Sequence, residues 1–169
     1  MLEANISGRS AFGADANPLA VLISNVKTTY ISTEKLKKTL VSVLVRARRS
    51  KAVSKENLES IQRWFSPSTI LQLTRLAESI DKIHQRELRR FFLLCFSNLI
   101  KKVSFADPSI SVPVKLNPAR FAKNPERKKA AEFKLQTLQC IDVYDKFEDI
   151  CELNIRRIDS LIPLKEMGV

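Results

Sequence analysis

Asp15 stands in a sequence context that suits ligand binding. It follows residues 10–14, whose mostly small side chains predict a short strand, and it precedes Asn17-Pro18, which predicts the start of an amphipathic helix. In βαβ nucleotide-binding units, an acidic residue at the carboxyl end of the second strand accepts hydrogen bonds from the ribose hydroxyls. The carboxylate charge strengthens such bonds. We therefore expect Asp15 to bind the ribose of an adenosine moiety, with Ala16 and Asn17 beside the adenine.

Asp15 also suits a purely structural role, because aspartate is among the best N-cap residues and a helix is predicted to start at Asn17-Pro18. The glycine loop that binds the phosphates in βαβ units lies about 20 residues before the acidic residue, which here falls before Met1. No glycine-rich loop occurs elsewhere, since the chain has only three glycines: Gly8, Gly13 and Gly168. Ribose binding and helix capping therefore both remain open for Asp15.

Short motifs follow one another along the chain in a recognisable order. They are Leu2-Glu3-Ala4, Gly8-Arg9, Gly13-Ala14-Asp15, Asn17-Pro18-Leu19-Ala20 and Lys27-Thr28, then Trp64-Phe65, the run 91–97 with Val103-Ser104, and the run 107–114. This order resembles the bacterial and archaeal adenine-N6/cytosine-N4 site-specific DNA methyltransferases. The resemblance covers most of the chain, and its N-terminal part is the most specific.

The resemblance implies methyl transfer from S-adenosyl-L-methionine to an exocyclic amino group of adenine or cytosine in DNA. Two motifs of the family are missing: the Phe-x-Gly-x-Gly cofactor loop and the Asp/Ser-Pro-Pro-Tyr motif that holds the flipped base. The segment Asp107-Pro108-Ser109-Ile110 lacks the second proline and the aromatic residue. We therefore expect the chain to be a fragment from a truncated or split reading frame. It should contain no catalytic residue and be inactive alone, whereas the intact enzyme would use S-adenosyl-L-methionine as its cofactor.

The strongly basic composition favours a polyanionic partner. The net charge is +11 and the sequence pI is about 9.8, and nucleic acid is the commonest partner of such proteins. Basic residues concentrate in two blocks, which are either solvated helix faces or contacts to the DNA backbone. The candidate DNA-binding residues are Arg46, Arg48, Arg49 and Lys51 in the first block, and Lys101, Lys102, Lys115, Arg120, Lys123, Arg127, Lys128 and Lys129 in the second.

Two other functions also fit the sequence. The chain could be a non-enzymatic, basic helical module that binds DNA or a partner helix, with the N-terminal resemblance as a relic. It could instead be one half of a split methyltransferase, in which case a second polypeptide, a complementing methyltransferase fragment, supplies the missing motifs. Salt-dependent DNA binding without cofactor binding would favour the first of these.

The predicted fold is mainly α: a helical insert attached to an incomplete α/β, Rossmann-like methyltransferase fold. Residues 1–30 form the partial α/β segment (helix, strand, helix), 31–104 the helical insert, 105–125 a proline-rich loop, and 126–169 a long helix with a C-terminal tail. Apolar residues recur three and four apart in the insert, which indicates amphipathic helices. In the last segment a near-heptad seam runs from Phe133 to Leu161, which predicts either a core helix or a coiled-coil surface.

Several other classes of protein are disfavoured. No apolar run approaches the roughly 20 residues of a membrane span, and the N-terminus has no signal-peptide pattern, so we expect a cytoplasmic protein without a membrane partner. Cys95, Cys140 and Cys151 lie in apolar helical patterns typical of reduced core thiols. With a single histidine, His84, and no cysteine at metal spacing, no metal site is expected.

Overall fold

A computed structural model describes residues 1–53 and 59–160 of the chain. These residues form helices joined by loops, with one isolated antiparallel bridge between Ala106 and Lys115. The α-helices are α1 (Leu2–Ile6), α2 (Pro18–Thr28), α3 (Thr33–Arg49), α4 (Glu59–Gln62), α5 (Pro67–Asp81), α6 (Arg86–Val103), α7 (Pro125–Gln139) and α8 (Val143–Asp159), and a 3-10 helix spans Pro118–Phe121.

Most of the longer helices begin where a polar side chain caps the first turn. Ser32 accepts a hydrogen bond from the Lys35 N–H at the start of α3, and Ser66 accepts one from the Thr69 N–H at the start of α5. Asn124 does the same for α7. Such residues satisfy backbone N–H groups that have no partner inside the helix. The hydroxyl residues Ser32 and Ser66 thus stand immediately before the first residues of α3 and α5.

The core lies between α3, α5, α6 and α8, which pack on one another, while α2 packs on α6. Each of these four helices contributes a buried, mainly apolar stripe, as its three-and-four spacing predicts. Phe92 of α6 illustrates the packing. The centroid of its ring lies 5.2 Å from the ring centroid of Phe91 and 6.3 Å from that of Phe147 on α8. Burying one large apolar side chain stabilises the fold by roughly 1.5–3 kcal/mol.

The predicted single helix beyond Pro125 is wrong: the chain forms two helices, α7 and α8, that are separated at residues 140–142. Asp142 caps the start of α8 as a new helix, because its Oδ1 accepts hydrogen bonds from the Tyr144 N–H at 2.8 Å and the Asp145 N–H at 3.2 Å. Gln72 of α5 accepts the Val143 N–H at 2.8 Å. The heptad seam is broken there, and Phe133 of α7 is 71% exposed. Leu161 lies outside the described residues.

The predicted strand at residues 10–14 is also not observed. These residues run between α1 and α2 with neither helix nor strand pairing. A strand requires a neighbouring strand to pair its N–H and C=O groups, and the described part of the chain offers none beside this segment. The α/β, Rossmann-like character of residues 1–30 therefore stays a prediction, whereas the mainly helical character of residues 31–53, 59–104 and 125–160 is seen directly.

The proline-rich segment 105–125 has more structure than an open loop. The Phe105 carbonyl accepts the Leu116 N–H at 2.8 Å, and the Val114 carbonyl accepts the Asp107 N–H at 2.8 Å, so residues 106–115 close into a hairpin-like loop. The Phe105 N–H in turn donates to the Trp64 carbonyl at 2.8 Å. The loop is thereby tied to the turn before α5.

No helix in the described ranges is both long and apolar enough to cross a membrane.

Candidate functional site

Asp15 lies on the exposed segment before α2 and does not cap that helix. Its Oδ1 accepts the Asn17 N–H at 2.8 Å, and Asn17 Oδ1 accepts the Leu19 N–H at 2.9 Å. The N-cap is therefore Asn17, which corrects the capping alternative for Asp15. Asp15, Ala16 and Asn17 are all exposed and lie next to one another on the surface. Because a carboxylate has about four acceptor positions, Asp15 keeps acceptor capacity for ribose hydroxyls.

In the first basic block, some side chains contact other residues of the chain and others have no described acidic partner. Arg46 donates from Nη2 to the Ser79 carbonyl at 3.1 Å, which links α3 to α5. Arg48 contacts Asp145 at 2.6 Å and Asp142 at 3.5 Å, and its guanidinium lies 5.0 Å from the Tyr144 ring centroid. These contacts join the end of α3 to the start of α8. The hydrogen bond to Asp145, reinforced by the charges of both acids, raises the pKa of Arg48.

Arg49 and Lys51 complete the first block and differ from their neighbours. Both side chains are exposed, and no described carboxylate pairs with either of them. They lie at the C-terminal end of α3 and just after it, where a basic side chain also faces the negative end of the helix dipole. Of the first block, these two side chains are the most available to a phosphate backbone.

The second basic block is divided in the same way. Lys115 Nζ lies 5.4 Å from the Phe105 ring, Arg120 Nη1 lies 3.7 Å from Asp107 Oδ2, and Lys128 Nζ lies 3.9 Å from Glu132 Oε1. The remaining side chains of this block are exposed and have no described acidic partner. They are Lys101 and Lys102 in the last turn of α6, Lys123 before α7, and Arg127 and Lys129 in α7.

A cleft of about 750 Å³ opens between the end of α6, the Trp64-Phe65 turn and the 106–113 loop. Lys101 and Lys102 line it from α6, and Lys134 lines it from α7. Lys134 was not among the predicted site residues. It lies in α7 beyond the basic block, more than 30 positions from Lys102, so no local pattern could join the two. Only the tertiary structure places these cations at one opening.

Asp107 is the acid at this cleft, and it is committed to its own loop. Its side chain is 3% exposed, and its Oδ1 accepts the Ser109 N–H at 2.9 Å and the Ser109 hydroxyl at 2.6 Å. These two hydrogen bonds, together with the positive charges of Arg120 and Lys134, lower the pKa of Asp107 below its usual range. The sequence Asp107-Pro108-Ser109-Ile110 therefore forms a stable turn rather than a free carboxylate in the cleft.

The other titratable residues that the structure describes form no second cluster. No group of three or more potential metal ligands occurs among residues 1–53 and 59–160. Cys95 and Cys151 are buried free thiols facing each other across α6 and α8, and burial raises the pKa of Cys151. Cys140 is exposed at the α7–α8 junction, so the predicted core position is wrong for this cysteine. His84 is exposed beyond the end of α5.

Comparison with known proteins shows a distant, partial relationship to a methyltransferase. The chain is 26% identical over 113 residues to the type II methyltransferase M.MvaI of Kocuria varians. The match covers 62% of this chain but only 25% of that protein. This chain thus spans about a quarter of the length of the relative that it matches. No protein-family model matches the sequence, and no solved structure matches it significantly. The chain is related in part, and distantly, to a type II methyltransferase.

Proposed function

We propose that the chain is part of an S-adenosyl-L-methionine-dependent DNA methyltransferase of the adenine-N6/cytosine-N4 class. The observation that supports this most directly is the partial match to a type II methyltransferase. The ordered motifs from Leu2 to Thr28 agree with it. In such an enzyme S-adenosyl-L-methionine supplies the methyl group. The residues of this chain would bind and orient rather than catalyse, because the Pro-Pro-Tyr motif is missing.

Asp15 is the proposed cofactor contact, with Ala16 and Asn17 beside it. The exposed carboxylate uses one oxygen to accept the Asn17 N–H at 2.8 Å, which orients the side chain while leaving acceptor capacity. Two ribose hydroxyls can then donate to it, and these charge-assisted bonds favour the bound state. The glycine loop, which would contact the methionine part of the cofactor, and the Pro-Pro-Tyr motif, which would hold the target base, do not occur in this sequence, so we expect cofactor binding to need a second segment that carries them.

The basic side chains are the proposed DNA contacts. Arg49, Lys51, Lys101, Lys102 and Lys129 are exposed and unpaired by described acids, which leaves their charges available to phosphates. Neutralising phosphates releases counterions, and this supplies most of sequence-independent DNA affinity. A non-enzymatic DNA-binding module is the second candidate, and the net charge of +11 is the observation that favours it.

Complementation tests the cofactor assignment. A second polypeptide carrying a glycine loop and a Pro-Pro-Tyr motif should restore methyl transfer, whereas the purified chain alone should transfer none. In the complemented enzyme, Asp15→Asn should weaken S-adenosyl-L-methionine binding on the order of 10- to 100-fold, because a charge-assisted hydrogen bond contributes about 1.5–3 kcal/mol. Isothermal titration calorimetry measures this affinity.

Asp159→Asn, at the exposed end of α8, is the matched control and should leave cofactor affinity unchanged. Equal affinities of the Asp15→Asn variant and the unmodified protein would refute the ribose contact. DNA binding by the chain together with failure of every complemented enzyme to bind cofactor would favour the non-enzymatic module instead.

A further inference from the structure

The cleft beside Trp64 has the dimensions and the walls of a small-ligand site. Its volume of about 750 Å³ lies within the roughly 300–1,000 Å³ range of ligand pockets. Trp64 and Phe65, both half-buried, line it together with Ile110 and Val112 of the 106–113 loop. An apolar, partly aromatic interior of this kind favours a planar apolar group.

Three lysines line the cleft. Lys101 and Lys102 approach from the last turn of α6, and Lys134 approaches from α7. Among the described lining residues Asp107 is the one acid, and its carboxylate is held by Ser109 and lies near Arg120. The charge of Lys134 acts on this carboxylate as well, whereas neither Lys101 nor Lys102 forms an ion pair with a described acid. A ligand that enters here should carry negative charge next to its planar group.

The aromatic wall is held in place before any ligand arrives. The Trp64 carbonyl accepts the Phe105 N–H at 2.8 Å, and the Arg63 guanidinium lies 5.6 Å from the Trp64 ring centroid. The 106–113 loop is closed by the hydrogen bond from the Asp107 N–H to the Val114 carbonyl. A wall that is already ordered loses little conformational entropy on binding.

We propose that this cleft binds one unstacked nucleotide of a DNA strand, with the base against Trp64 and the phosphate against Lys101, Lys102 and Lys134. The choice of DNA rests on the proposed function, whereas the nucleotide chemistry rests on the cleft itself. An aromatic side chain next to lysines is the combination by which proteins bind single strands without sequence preference. A base inside a duplex is stacked on its neighbours and cannot reach the aromatic wall.

Fluorescence of Trp64 tests the proposal directly, because Trp64 is the only tryptophan of the chain. Oligothymidylate of about ten nucleotides should quench this fluorescence saturably, since one base stacks on the indole. Free thymidine monophosphate should quench it at higher concentration, which separates a free nucleotide from one within a strand. Duplex DNA of the same length should quench it far less, even where it binds to the basic surface.

Variants identify the contacting side chains. Lys101→Gln combined with Lys134→Gln should weaken oligothymidylate binding at least about tenfold. Trp64→Leu should weaken it by a similar factor, whereas Trp64→Phe should retain most of the affinity because it keeps a stacking surface. Binding of the Trp64 variants is followed by anisotropy of a labelled oligonucleotide. Lys82→Gln combined with Arg156→Gln is the matched control, because these two exposed cations do not line the cleft and their loss removes the same charge.

Three results would overturn the proposal. The first is no saturable quenching by either oligothymidylate or thymidine monophosphate. The second is an equal loss of affinity in the cleft and control variants, since this would mean that overall charge alone binds the strand. The third is equal displacement of oligothymidylate by inorganic phosphate or a polyglutamate peptide. If the cleft fails these tests while the protein still binds duplex DNA, the proposed methyltransferase function is not refuted, because that function depends on Asp15 and the exposed basic surface.

Discussion

Arg48 shows how the fold uses a cation that sequence analysis assigns to DNA. Its guanidinium contacts Asp145 and Asp142 and lies over the Tyr144 ring, so it joins α3 to α8. Its side chain is 46% exposed, and exposed ion pairs contribute roughly 0–1 kcal/mol to stability. Arg49, the next residue, has no described acidic partner. At the scale of single residues, adjacent arginines therefore have different expected roles.

Asp107 allows a test of the loop at the same scale. Its pKa is lowered mainly by the Ser109 hydrogen bonds, so its stabilising effect is present above the unfolded pKa of about 3.9 and is lost as the pH falls through the folded pKa. Ser109→Ala removes the hydroxyl donor and should raise the pKa of Asp107, moving this loss to higher pH. Carboxyl-carbon NMR titration of Asp107 measures the change.

Ser111→Ala, in the same loop, is the control for this titration, because the Asp107 carboxylate accepts its hydrogen bonds from Ser109. The control should leave the midpoint of Asp107 where it is. An unchanged midpoint in Ser109→Ala would show that the hydroxyl does not lower this pKa, and would leave the backbone N–H of residue 109 and the charges of Arg120 and Lys134 as its causes.

At the scale of secondary-structure elements, the junction between α7 and α8 determines how the C-terminal half packs. Because α8 starts afresh at Val143, its apolar stripe can pack against α3 and α6 independently of the direction of α7. Helix α7 instead packs on the 3-10 helix and brings Lys134 to the cleft. The break thus lets the two helices pack on different parts of the molecule.

Removing the cap at this junction should destabilise the protein. Asp142→Ala leaves the Tyr144 and Asp145 N–H groups without their side-chain acceptor, and loss of an N-cap costs about 1 kcal/mol. Asp142→Asn keeps the cap but removes the charge that faces Arg48, so it should cost much less. Urea unfolding followed by circular dichroism compares the two. Equal losses would assign the effect of Asp142 to its ion pair with Arg48.

At the scale of the whole molecule, the net charge of +11 predicts DNA binding that weakens steeply with salt. Intramolecular contacts engage part of this charge, since Arg48, Arg120 and Lys128 face acids of the same chain. The exposed, unpaired side chains should therefore contribute most of the counterion release. Duplex affinity should reflect the whole basic surface, whereas the cleft responds only to an unstacked nucleotide.

The salt dependence of duplex binding tests this division. Arg49→Gln combined with Lys51→Gln should flatten the slope of log K against log salt by about 2 if both side chains contact phosphates, because each contact contributes roughly 0.9. Arg48→Gln should flatten it less, since Asp142 and Asp145 already compensate its charge. Anisotropy titrations at several salt concentrations measure the slopes. An equal effect of Arg48→Gln would mean that its ion pairs open when DNA binds.

Local residue patterns determined much of the helical architecture. Ser32 and Ser66 mark helix starts because hydroxyl oxygens accept N–H groups that have no partner in the first turn. Leu36, Leu40 and Val43 recur at helical spacing, and all three are buried in α3. These features depend on neighbours within about one or two turns, so they can be predicted without the fold. The net positive charge is likewise a property of composition alone.

Only the tertiary structure decided which side chains meet and which remain free. Gln72, 71 residues before Val143, takes part in ending one helix and starting the next. Lys134 joins Lys101 at the cleft for a similar reason, because two separate helices approach the same opening. Whether a cation is free depends on the acids that packing brings beside it, and residues distant in the chain supply those acids. Sequence patterns record local spacing, whereas these long-range contacts exist only after the helices have packed.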